Sequence, residues 1–296
     1  MKLDPTEFGR LRKALLSTDL PGFARHMSDL QFHAPGAGGD AQALAEELGL
    51  VRRGTRELTE TGWFVADACR EYVFWLERDR RLPFGDHLPD LVAEAIDGHS
   101  VLEIGSGSGV NLMSMAMSGR AAEVVGLEPV EAYRQMGAVL AEAEGLGPIL
   151  VEPGAAERLP FEDARFDTVL CVSAHQYFDV VPALAQIARV LRPGGEVVMI
   201  SGTLGSFVRG SSGCLLGRNG LSGVKNYVVT VANTLGYMSL GRRVLVRPSK
   251  WTTAYPIYPS RASMRRMIAR AGLRSADGLP PRVGMETCFR AIKPAG

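Results

Sequence analysis

Cysteine is scarce and scattered in this chain. Cys69, Cys171, Cys214 and Cys288 stand among 296 residues without Cys-x-x-Cys spacing or histidines at zinc-finger intervals, which excludes a disulfide framework and a structural zinc site. Nowhere do eighteen uncharged apolar residues run together, so no membrane span is expected. The opening MKLDPTEFGRLRKALL lacks the apolar core and cleavage site of a signal peptide, and a reducing cytoplasm is the expected compartment. Repeats and low-complexity tracts are also missing. Acidic residues nearly vanish from the last third: residues 201–296 carry 15 Lys and Arg against 2 Asp and Glu. Residues 1–100 carry 12 against 17, and residues 101–200 carry 6 against 13. What is present, 46% hydrophobic and 22% charged residues, excludes disorder and fits one large or two ordinary domains.

The period of the apolar residues changes along the chain. Residues 1–95 read as a helical domain, with helices at 5–16, 23–30, 41–48 and 59–80. Within it, Ala41–Val51 followed by Arg52–Thr59 resembles the recognition helix and wing of a winged-helix module. The net acidity of this region opposes nucleic-acid binding, so dimerisation or substrate capping is the expected role. From residue 96 onward, apolar strands at 100–104, 124–128, 149–152, 168–172 and 196–201 alternate with helical stretches near 109–118, 133–144 and 181–190. That alternation implies an α/β fold, a Rossmann-like doubly wound, mostly parallel sheet with helices on both faces. Seven strands are expected once those near 273–278 and 287–292 are added. Residues 202–250 interrupt the pattern after the fifth strand and read as an inserted cap; 260–272 reads as a helix capped by Ser260.

The chemistry concentrates in Val101-Leu-Glu-Ile-Gly-Ser-Gly-Ser-Gly109, an apolar strand running into three glycines and a helix. Gly105, Gly107 and Gly109 allow positive φ and close approach of a ligand, but such a turn alone also fits an NAD site. Two acids sharpen the reading toward S-adenosylmethionine (SAM). Glu103 precedes the glycines, where a carboxylate can face the cationic aminoacyl end. Glu128 ends the second strand, where it can accept both ribose hydroxyls.

With the downstream segments Ala155-Ala-Glu-Arg-Leu-Pro-Phe161, Phe166-Asp-Thr-Val-Leu170 and Ile187-Ala-Arg-Val-Leu-Arg-Pro-Gly-Gly195, the chain resembles class I SAM-dependent methyltransferases. The similarity is to the small-molecule subgroup that includes quinone C-methyltransferases; it covers residues 98–202 well, 255–296 less well, and the insertion not at all. The resemblance implies SAM as cofactor and S-adenosylhomocysteine as product. It implies Glu103, Gly105, Ser106, Gly107 and Gly109 around the methionine part, Glu128 and Pro129 at the ribose, Ala156 and Glu157 at the adenine, and Ser173 beside the sulfonium. Ala155 stands where the family often has an Asp for the adenine amino group.

Methyl transfer is an in-line displacement, so alignment and a dry cavity matter most, and a general base matters only when the acceptor still holds its proton. After the fourth strand, Ser173-Ala-His-Gln-Tyr-Phe178 offers His175 as that base or as an orienting group, and Tyr177 to orient an acceptor. Tyr72, Trp75 and Arg78, at i, i+3 and i+6 on one helix, are candidate acceptor contacts with core packing as the alternative. Arg242, Arg243, Arg247 and Lys250, with Tyr255 and Tyr258, could hold an anionic or aromatic acceptor or form a solvated basic loop. The expected protein transfers a methyl group to O, N or C of a small metabolite, without metal and with homodimerisation in prospect. Nucleic-acid or protein methylation and a SAM-binding winged-helix regulator are the alternatives.

Overall fold

The structure, a computed structural model, describes residues 3–32, 34, 38–80, 89–209, 220–245, 256–276 and 287–295. Two compact units make up the chain: residues 1–98 with 106–153, and residues 99–105 with 154–296.

In the first unit, α1 (Pro5–Leu16) starts where the Asp4 side chain accepts from Thr6 N and Pro5 supplies a first-turn residue with no N–H to satisfy. α2 (Leu20–Gln31), α3 (Asp40–Glu47), α4 (Glu60–Leu76) and α5 (Pro89–Ile96) follow. α3 leads into a small hairpin, bridged between Val51 and Leu58, from which the Thr59 hydroxyl caps α4 by accepting from Gly62 N at 3.0 Å. The expected helix at 59–80 stops at Leu76, where Glu77 N–H closes the last turn on Val73 O. α2 packs on α4, and α4 packs on α6 (Val110–Ser118) and α7 (Glu131–Ala143). The N-terminal helices therefore share one apolar core with these two, including Leu15, Phe23, Met27, Trp75, Met113, Met136 and Leu140.

The strands are β1 (Ser100–Ile104), β2 (Glu123–Leu127), β3 (Val151–Glu152), β4 (Phe166–Val172), β5 (Leu191–Ser201), β6 (Arg274–Ser275) and β7 (Thr287–Ile292). They form one seven-stranded sheet in the order β3-β2-β1-β4-β5-β7-β6. β2 and β3, β1 and β4, and β4 and β5 are parallel; β7 is antiparallel to both β5 and β6. All five residues of β1 are buried, as a strand covered on both faces requires. This is the expected doubly wound α/β architecture with helices on both faces. Strand order reverses between β1 and β4, and ligands of such sheets bind outside the carboxyl ends at that switch point.

In the second unit α8 (Val180–Val190) joins β4 to β5. The segment after β5 holds a short helix, α9 (204–209), and α10 (Gly220–Leu240), and α11 (Arg261–Arg270) precedes β6. As its sequence indicates, α11 is capped by Ser260, which accepts from Ser263 N at 3.2 Å.

Candidate functional site

The turn after β1 bends through left-handed backbone at Gly105, Gly107 and Gly109, with φ of +69°, +55° and +77°. Gly107 is required twice over. A side chain would be strained at its φ, and a Cβ there would lie 2.7 and 2.8 Å from the two carboxylate oxygens of Glu71.

Glu71 is a residue that the motifs do not point to. It projects from α4, and its Oε2 accepts from Ser108 N at 2.9 Å and from Ser108 Oγ at 2.5 Å. Glu128, one residue past the end of β2, takes the preceding amide: its Oε2 accepts from Gly107 N at 3.1 Å and its Oε1 from Val130 N at 2.8 Å. Two carboxylates thus occupy successive amides just before α6, the place where a helix N-terminus would otherwise attract an anion. Arg134 on α7 donates to the Glu128 carbonyl oxygen. Burial raises the Glu128 carboxyl to about 7, against the opposing effect of its two backbone N–H donors; neighbouring Glu71 adds to the rise. Glu71 is raised too, by burial and then by Asp67, with the Ser108 bonds pulling the other way.

The turn has acceptor capacity in reserve. Each Glu128 oxygen takes one backbone N–H, leaving lone pairs for two further donors. The buried Ser106 Oγ has no hydrogen-bond partner, an orphan hydroxyl at the same turn. Pro129 follows Glu128 directly. A cavity of about 120 Å³ lined by Gly107, Ser108, Gly109 and Arg134, among others, adjoins it. The orphan hydroxyl and open carboxylate positions fit a ligand that brings hydroxyl donors, such as a ribose.

In the second unit Glu103 is buried in β1, near enough to Cys171 to add to the rise that burial gives that thiol, to about 12. A Cβ on Gly105 would lie 2.4 Å from that of Ala174. Beyond β4, Ser173 takes φ +49°, unusual for a residue other than glycine, while its N–H donates to Ile200 O at 2.7 Å. Two residues on, His175 is wholly buried, neither ring nitrogen has a partner, and burial pushes its pKa down to about 4. Tyr177 is partly exposed. Ala156 is buried; Glu157 Oε1 accepts from Asp179 N at 2.7 Å, so its side chain holds the start of α8.

The remaining candidates separate. Tyr72 and Trp75 are core residues of the first unit, stacked at 5.7 Å. Tyr72 OH donates to Glu144, Trp75 Nε1 to Ser114 Oγ at 2.8 Å and Arg78 Nη2 to Asn111 Oδ1 at 2.7 Å. Their contacts tie α4 to α6 and α7, which is the packing alternative. Tyr258 stacks on Phe207 at 4.7 Å, and Phe207 on Tyr227 at 5.5 Å. Arg243 donates to the Gln176 and Phe178 carbonyls. Tyr255, Arg247 and Lys250 lie outside the described residues.

Residues 102–199 match the family described as a methyltransferase domain. Over 109 residues the chain is 32% identical to the uncharacterized methyltransferase YcgJ of Bacillus subtilis, covering 36% of this chain and 42% of that protein. Over 112 residues it is 36% identical to the demethylmenaquinone methyltransferase of Deinococcus radiodurans, covering 36% and 46%. The chain spans about half the length of the curated relatives it matches. Among solved structures, a chain of the Haloferax volcanii complex containing the Trm112 methyltransferase activator superposes with TM-score 0.53 at 16% identity, covering 80% of this chain and 98% of that one. The PH0226 protein of Pyrococcus horikoshii gives 0.50 at 16% identity, covering 70% and 88%. These likenesses show the fold: the sheet is that of class I methyltransferases, and residues 102–199 are similar to the methyltransferase-domain family.

Proposed function

We propose that this chain is a SAM-dependent methyltransferase acting on a small molecule. The observation that carries the reading is the pair of carboxylates, Glu71 and Glu128, on the amides of Ser108 and Gly107. A dinucleotide needs those amides for its pyrophosphate, and here it would meet two acids. SAM has no phosphate, and it brings ribose hydroxyls and a cationic aminoacyl end that suit acidic acceptors.

When bound, SAM supplies an electrophilic sulfonium methyl group: the acceptor forms the new bond to carbon, the sulfur–carbon bond breaks and S-adenosylhomocysteine leaves. In this reading Glu128 accepts from the ribose, the buried Glu103 faces the amino end, and the Gly105–Gly109 backbone leaves room for close approach. Ala156, Glu157 and Ser173 belong to the proposed adenine and sulfonium surroundings. His175 and Tyr177 are assigned to the acceptor. With its pKa held near 4, His175 is neutral at pH 7 and a weak base, so orientation and exclusion of water are its expected contributions. Within 202–250, α9, α10 and 241–245 are assigned to the acceptor cap, the rest of that segment lying outside the described residues, and α3 with its hairpin to a winged-helix-like module that serves dimerisation or capping rather than DNA.

The test is SAM-consumption screening against small metabolites, with His175→Ala measured on the acceptor found. Production of S-adenosylhomocysteine with a small molecule, and a loss in kcat below about tenfold in the variant, is the expected result. Turnover only with nucleic acid or protein would reject the small-molecule reading, and a loss near 10²-fold would restore His175 as base.

A further inference from the structure

Helix α10 is built inside out. Its inward residues Thr230, Asn233, Thr234 and Tyr237 are polar and buried, and the last three are bonded. The Asn233 side chain accepts from Val244 N and Leu245 N and donates to Leu245 O; Thr234 Oγ1 accepts from Tyr258 N. Tyr237 OH accepts from Val181 N and donates to Asp179. On the opposite side, at helical spacing, Val224, Val228 and Leu235 face outward, Val228 and Leu235 being 56% and 50% exposed. Leu240, Val244 and Leu245 are exposed as well, elsewhere around the end of the helix, with Val244 and Leu245 on the Asn233 side. A surface helix normally directs its apolar stripe to the core. Here the core-facing bonds are polar and the apolar stripe is left to an external phase.

The stretch of chain that carries this stripe has charge of one sign. Residues 197–276 contain twelve Lys and Arg and no Asp or Glu. Arg209, Lys225 and Arg242 are exposed in or beside the segment. Among the described residues no helix is long and apolar enough to cross a membrane. An aliphatic stripe with basic flanks, too polar behind to span, has the character of a helix that lies in the headgroup region of an anionic bilayer. The stripe holds Val and Leu, without the Trp, Tyr or Arg anchors that dominate protein interfaces. A two-fold dimer through this face would set the basic segment against itself.

We infer that the outward face of α10 docks this protein on an anionic lipid surface, through Val224, Val228 and Leu235, with Lys225 and Arg242 drawn to the headgroups. The inference uses no residue of the cofactor turn; it falls on the segment proposed as the acceptor cap, on the side of α10 that faces away from the rest of its unit.

The test is sedimentation of the full chain with phosphatidylcholine vesicles, with and without phosphatidylglycerol, beside the double variant Val228→Glu with Leu235→Glu. SAM affinity measured without vesicles reports that the variant is folded, and it also tests the cofactor reading separately. The expected result is binding to the phosphatidylglycerol vesicles that weakens with salt and falls about tenfold or more in the double variant. A second variant, Lys225→Glu with Arg242→Glu, should lose the preference for phosphatidylglycerol. Absence of binding by the wild type, or binding undiminished by the double variant, would overturn the inference. So would a wild-type dimer that fails to bind vesicles and that the double variant dissociates, which would make a second copy the occupant.

Discussion

The turns after β1 and β4 both pass through left-handed backbone, and they do so by opposite means. After β1 the strain is removed by Gly107, whose missing side chain admits the Glu71 carboxylate, and the amides there are bonded to acids. After β4 the strain is kept at Ser173, and the histidine two residues on is buried without a bond to either ring nitrogen. The first turn is a backbone cradle closed on two carboxylates, with the Ser106 hydroxyl and the open Glu128 positions left for a ligand. The second holds unmet hydrogen-bonding capacity next to strained backbone, a combination found where a site is held ready for chemistry. In the proposed reading the donor end is thus fixed by backbone and carboxylates, and the acceptor end is left to side chains whose partner arrives with the substrate.

The largest effect should come from a residue that could belong to either description. Trp75→Ala should destabilise the protein by about 3–5 kcal/mol, read as a fall in Tm, because it empties a buried site and takes the indole donor from Ser114 Oγ. A small stability loss with a large loss of acceptor affinity would return Trp75 to the acceptor site.

The pH dependence of stability distinguishes the two turns by sign. Glu128 is raised from 4.5 to about 7, so its contribution is fully present below pH 4.5 and is lost as pH rises toward 7. His175 is lowered from 6.5 to about 4, so its contribution is present above pH 6.5 and is lost as pH falls toward 4. Each swing is roughly 3 kcal/mol, and in the wild type the two oppose each other over nearly the same window. Relative to wild type, Glu128→Gln should therefore gain stability with rising pH between 4.5 and 7, and His175→Phe should lose it. Denaturant titrations across that window check both; variants with parallel profiles would remove the contrast.

Gly107→Ala should cost about 1–2 kcal/mol for its left-handed backbone, somewhat more if Glu71 is held too firmly to move. Glu71→Ala in the same chain should recover part of that loss, and an unchanged cost would show that the carboxylate does not bear on the turn. Smaller still, Tyr237→Phe removes the bonds to Asp179 and Val181, for about 1 kcal/mol. Amide exchange should then quicken across 220–245 while β1 stays protected. Equal protection in variant and wild type would mean that Tyr237 does not fasten the proposed cap.

The features legible in sequence are those set by neighbours along the chain. Asp4 and Pro5 fix the start of α1, the alternating runs give the order of the strands, and the glycines with Glu128 mark the turn after β1. Glu71 was not legible, since it meets Ser108 across 37 positions and sits beside Tyr72 on a helix that reads as core. One signal was available: Asp67 and Glu71 form a like-charged i, i+4 pair, which a helix does not favour without a reason. The fate of Tyr72 and Trp75 turned on long-range packing, which spacing along a helix leaves open. The inward polar face of α10 was hidden for a related reason: Thr230, Asn233 and Thr234 find partners in Tyr258 and in 244–245 that no local pattern announces.

The central claim is that paired carboxylates make the turn after β1 a site for SAM and not for a phosphate-bearing nucleotide. Titration calorimetry of the wild type with SAM, S-adenosylhomocysteine and NADH, repeated on Glu128→Ala, tests it most directly. The account predicts binding of the first two, none of NADH, and a loss of about 1–3 kcal/mol in SAM affinity in the variant. Tight NADH binding, or SAM affinity unchanged by Glu128→Ala, would contradict it.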